Sequence, residues 1–200
     1  MIENQERFHQ TLALFDAANA EDPNQDSGQP KELLYGKRMS DMIARFAPDA
    51  SEAAQLAVRA QHIRRWTVPR NTYPMTKEGY HAWRTGLYSL QANTAGELMR
   101  QAGYDDAMIE RVKKAVGKRG IKSNPETQLL EDIADLVFIE ALLGVGEVAI
   151  KELGKGFAPF ELLCDDRLDS AELPGTERRQ GMRKSGVFLR RGGDHHARVF

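Results

Sequence analysis

Apolar residues recur at spacings of three and four through most of the first 140 positions, and no segment shows sustained apolar–polar alternation. That period confines the chain to amphipathic helices packed on one another, because a strand would need a period of two. It argues against a Rossmann fold and against the parallel-sheet folds that host most nucleotide enzymes. Phe8, Leu12 and Phe15 mark a first helix over 4–20. Tyr35, Met39, Met42, Ile43 and Phe46 mark a second over 31–46, and the turn formers of 21–30 predict a surface loop between them.

After Pro48, Asp49 or Ser51 can cap a third helix carrying Leu56, Ala57, Ala60 and Ile63. Its last turn is expected to hold His62, Arg64 and Arg65. A fourth helix over 76–99, capped by Thr76, carries Tyr80, Trp83, Leu87 and Leu90. Gly79 and Gly86 weaken it or admit another element at close range. Gly103 reads as a helix end and Asp105 or Asp106 as the next cap. A shorter helix then runs to about 116, followed by a basic loop over 117–125. The helix over 125–143 carries Leu129, Leu130, Ile133, Leu136, Val137, Phe138 and Ile139 nearly all round, which predicts a central position.

Residues 61–84 stand apart from this regularity. They hold both tryptophans, two of the five histidines, four arginines and two prolines. Pro69 and Pro74 fix φ and restrict the residues before them, so 67–75 reads as a stiff loop bearing Arg70 and Tyr73. A guanidinium on a stiff loop is suited to an oxyanion, since less ordering is lost on binding. Arg64 and Arg65 have two readings: complements to a helix dipole, or walls of an anion pocket. Trp83 reads as core or as a stacking platform, with Arg84 on another face. Trp66 and Tyr73 could stack on a base. The loop at 117–122 reads as a solvated turn or as a second basic wall.

The apolar helix also carries Glu131, Asp132 and Asp135, and carboxylates in such a setting call for an arginine or a metal.

Net charge is −1, so any charged partner must be recognised by a local patch. The single cysteine, Cys164, excludes an intramolecular disulfide and a CxxC metal site. The polar first ten residues do not resemble a signal peptide, and no apolar run approaches the roughly 20 residues of a membrane span. Together these predict a cytoplasmic protein without a membrane partner. No P-loop, GxGxxG, HExxH or GxSxG motif occurs. From about 154 the chain turns glycine- and arginine-rich, which predicts a weakly ordered extension over 154–200 behind a helical domain over 1–153.

The segments KELLYGKRM (31–39), DASEAAQLAVRAQHIRRWTVPRNTYPM (49–75), GYHAWRTGLY (79–88), AGYDDAMIERV (102–112) and TQLLEDIADLVFIE (127–140) resemble the family called domain of unknown function 4202. More distantly, the order of elements resembles HD-domain phosphohydrolases, all-α proteins that cleave phosphate esters with a divalent metal. That resemblance implies a single HD-like bundle of six or seven helices, with His62 and Asp132 at metal-ligand positions. The ligand set is incomplete, because Ile63 stands where the paired aspartate would be and Tyr35 where an early histidine would be.

The resulting expectation is a pocket that binds a phosphorylated small molecule or nucleotide through Arg64, Arg65, Arg70, Tyr73 and Arg84. His62 and Glu131 are its candidate acid–base groups for phosphoester hydrolysis. The alternative is a non-catalytic ligand-sensing or protein-interaction module. An RNA-binding accessory role is disfavoured, and no feature bears on oligomeric state.

Overall fold

The computed structural model describes residues 2–143, which form one compact unit. The proposed boundary at 153, the glycine- and arginine-rich extension and Cys164 lie outside the described residues. Six helices account for most of the unit: α1 (Gln5–Ala20), α2 (Lys31–Phe46), α3 (Glu52–Ala60), α4 (Lys77–Gln101), α5 (Asp106–Val116) and α6 (Pro125–Leu143). Two 3₁₀ turns, Arg65–Thr67 and Arg70–Thr72, lie between α3 and α4. The class is all-α, as the periodicity requires. No described helix is long and apolar enough to cross a membrane.

The shortest helix is the centre of the bundle. α3 packs against each of the other five helices. Its sequence, EAAQLAVRA, makes this feasible: Ala53, Ala54, Ala57 and Ala60 keep the cylinder thin, while Leu56 and Val58 fill the space between neighbours. Burying one such leucine contributes about 1.5–3 kcal/mol. α2 approaches closely at Gly36, where a Cβ would stand 3.2 Å from the Arg59 carbonyl. Arg59 then ties three helices together. Its Nε and Nη2 grip the Asp16 carboxylate on α1 at 2.8 and 2.6 Å, and its Nη1 donates to Ser40 Oγ on α2 at 3.1 Å.

The most apolar helix, α6, is not the centre. It buries Leu130, Ile133, Leu136 and Val137 against α2, α3 and α5, and leaves Leu129, Phe138 and Ile139 half-buried. Glu131, Asp132 and Asp135 are half-buried as well. The fully buried acids are Asp22, Glu32 and Glu52 instead.

The caps follow the chemistry of the chain. Asn4, Ser51, Thr76 and Asp105 each accept a backbone N–H in the first turn of their helix. Gly103 adopts φ +84° just past α4. α2 begins after Pro30, which offers no side-chain cap, so Asp22 serves from ten residues away by accepting the Glu32 N–H at 3.0 Å. The loop over 21–30 contains a two-residue antiparallel ribbon, Gln25–Asp26 (β1) with Gln29–Pro30 (β2). Ser27 and Gly28 both take positive φ at its turn, as a type I′ hairpin demands. Strands of two residues are too short to display alternation in sequence.

Candidate anion-binding site

α3 stops at Ala60, earlier than its apolar stripe suggests. Residues 61–64 form a turn, and Arg64 takes the left-handed conformation at φ +51°. Its backbone N–H donates to the buried Asn19 Oδ1 at 2.9 Å, which holds the turn against α1. Arg64 and Arg65 therefore stand beyond the last helical turn, and a helix-dipole role does not describe them.

From there the chain lies along the first half of α4. Trp83 is 3% exposed and donates its indole N–H to the Val68 carbonyl at 2.8 Å. Arg70 folds back as a clasp, donating to the carbonyls of Tyr73 at 3.2 Å, Pro74 at 3.0 Å and Thr76 at 3.3 Å. The glycines of α4 admit this loop. A Cβ on Gly79 would fall 2.1 Å from the Pro74 oxygen, and one on Gly86 would fall 3.2 Å from the Tyr73 hydroxyl.

Guanidinium groups and aromatic rings alternate along the resulting surface. Arg65 lies 5.0 Å from the Trp83 ring centre, and Arg70 lies 6.0 Å from the same ring and 5.8 Å from Tyr80. Arg84 lies 5.8 Å from Tyr80 and 5.4 Å from Tyr88, donating to their hydroxyls at 3.0 and 2.7 Å. Such contacts hold a guanidinium in place. Arg70 has no carboxylate partner among the described residues. Arg64 departs from the row: its guanidinium reaches Glu21 at 3.7 Å on the surface.

His62 adjoins one end of the row. Its Nδ1 is 3.1 Å from Glu32 Oε2, its Nε2 is 3.2 Å from Arg65 Nη1, and its ring stacks on Tyr35 at 4.1 Å. A guanidinium nitrogen can only donate, so Nε2 is the acceptor and the ring proton sits on Nδ1, given to Glu32. His62 is thus neutral. Burial pushes its pKa below the usual 6.5 against the pull of Glu32, and the charges of Arg65 and Lys118 push the same way. Burial opposes ionisation of Glu32, yet His62, Arg65 and Lys31 together bring its carboxyl below the usual 4.5. The imidazole keeps 22% exposure, enough for contact from outside.

The acids of α6 stand apart from the imidazole bonds. Glu131 pairs with Lys118, and Asp132 accepts from Gln128 Nε2 at 2.8 Å. The carboxylate that orients His62 is Glu32, thirty residues earlier on α2. Nothing in the sequence singles out Glu32, because an acid in a first helical turn is commonplace. Lys118, in the basic loop at φ +56°, is near enough for its charge to act on His62.

These residues do not fit a divalent metal. Both ring nitrogens of His62 are engaged, and no group of three metal-ligating side chains occurs among the described residues. Fold and site define a small all-α domain with a proline-stiffened, arginine- and aromatic-lined face. The chain belongs to the family described as Domain of unknown function (DUF4202), whose family model matches residues 9–144, from α1 through α6 and including the whole of that face. No curated protein and no solved structure matches the chain.

Proposed function

We propose that the face formed by Arg65, Arg70 and His62 binds a phosphorylated small molecule, such as a nucleotide, without help from a metal. The observation that carries this is Arg70: a cation clasped to three carbonyls, lacking a described carboxylate partner, and gathered with Arg65 around one indole. A guanidinium has five N–H donors, and the clasp uses three, so two remain for an oxyanion.

Thermal denaturation with inorganic phosphate, pyrophosphate, nucleoside mono-, di- and triphosphates tests the reading. A ligand at a hundred times its dissociation constant stabilises by about 2.7 kcal/mol. The stabilisation should disappear in Arg65→Gln and weaken in Arg70→Lys, which keeps a charge but loses the fork. The reading is overturned if no phosphate compound stabilises the wild type beyond a chloride control of equal ionic strength.

One observation favours a second reading, phosphoester hydrolysis. A histidine oriented by a buried carboxylate is what a general base requires, and Glu32–His62 is such a pair. Nε2 can accept a proton only once Arg65 has moved off it. Phosphate release from the same panel, abolished in His62→Gln, would favour this reading over ligand sensing.

A further inference from the structure

We infer that residues 64–67 close onto the bound anion, and that the Arg64 Nε–H and the Trp66 indole N–H are additional donors to it. This rests on the anion site proposed above. Both N–H groups are covered from solvent, and neither has a hydrogen-bond acceptor among the described residues. Gln61 Oε1, three residues before Arg64, likewise lacks a donor among the described residues, and Gln61 is 7% exposed. Buried polar groups are almost always paired, so three orphans within six residues mark a segment whose best-bonded arrangement is a different one.

The orphans are joined by strain. Arg64 is an arginine at φ +51°, a conformation that side chains with a Cβ take up unwillingly. Its charge contact among the described residues, to Glu21, is long and exposed and is readily given up. Arg65 and Trp66 share the short 3₁₀ turn that Arg64 opens. An anion that draws Arg65 away from His62 must carry its two neighbours along. The unmet groups at 64 and 66 are both donors, so the missing partner is an acceptor, which a cation cannot be. Several donors converging on one group favour a phosphate oxygen, which accepts more than one hydrogen bond.

Tryptophan fluorescence tests this with pyrophosphate and ATP as probes, on the full chain and on Trp66→Phe and Arg65→Gln. Phenylalanine keeps one aromatic ring and removes the N–H donor, the second ring and the fluorophore at 66. Titration of the wild type should change its emission, and in Trp66→Phe only the part reported by Trp83, the indole beneath Arg65 and Arg70, should remain. Affinity of Trp66→Phe, read by calorimetry, should fall about tenfold, as for loss of one hydrogen bond to a charged group. A thermal melt verifies that the variant is folded. If Trp66→Phe binds as tightly as the wild type while Arg65→Gln does not bind, the closing turn is refuted and the anion site stands. If the wild type binds neither probe, both fall together.

Discussion

His62 directs its Nδ1–H at Glu32 across 3.1 Å while its Nε2 accepts from Arg65, so one imidazole joins a buried anion to a cation without carrying charge itself. The arrangement holds only while the ring is neutral.

Stability should therefore fall with acid in two stages. The histidine of the unfolded chain takes up a proton below pH 6.5, whereas burial, with Arg65 and Lys118, holds the folded pKa lower. Stability declines from about pH 6.5 downward until the folded value is passed. Glu32 is shifted the opposite way in chemical sense, favouring its charged form, so its contribution is complete above 4.5 and is lost as pH falls through the lower folded value. Thermal melts from pH 8 to pH 4 should show both declines, and His62→Gln should abolish the upper one.

Glu32→Ala should destabilise the fold by about 1–3 kcal/mol, because the Nδ1–H of His62 is left without its acceptor. Glu32→Gln retains an oxygen to accept that proton and should recover much of the loss. Chemical denaturation of the two variants distinguishes a hydrogen-bond role from one that needs the charge.

Gly79→Ala reverses the usual expectation. In an open helix the change would gain about 1 kcal/mol. Here the new methyl would meet the Pro74 carbonyl at 2.1 Å, which the Arg70 clasp holds in place. The variant should lose about 1–3 kcal/mol, as overpacked sites do. A melting temperature equal to or above the wild type would show that the loop does not lie on α4.

Tyr104→Phe removes the hydroxyl that donates to the buried Glu52 and should cost about 1.5–3 kcal/mol. Burial and Glu52 hold the Tyr104 phenol well above its usual 10. Folding favours its neutral form, so stability from this group is intact below pH 10 and declines as the pH rises above it. Urea unfolding from pH 8 to pH 11 should show the wild type losing stability faster than Tyr104→Phe.

Much of the fold was legible from position to position. Of the expected stripes, Phe8, Phe15, Met39, Met42, Ile43, Leu56, Ala57, Ala60 and Ile63 are buried, while Leu12, Tyr35 and Phe46 are half-buried. Trp83 lies in the core, and Gly79 and Gly86 admit a neighbouring element at close range. These features are local, since a helical period, a cap or a missing Cβ acts within a few residues. Less of the site was legible. Arg65, Arg70 and Tyr73 lie on the α4 face as a stiff loop suggests, yet Arg64 turns away to Glu21. The end of α3 at Ala60 was hidden because Ile63 continues the apolar stripe after the backbone has left the helix.

By itself, then, the sequence determined the helices, most of their caps and the proline-stiffened loop over 67–75, because these depend on backbone sterics and on neighbours three or four positions away. The tertiary structure alone decided which helix is central, that Glu32 rather than an acid of α6 faces His62, and that Arg65 and Arg70 share one indole. Those are contacts between distant segments, and they arise from which faces can be buried together once the whole core is packed, a competition no single stretch of chain expresses.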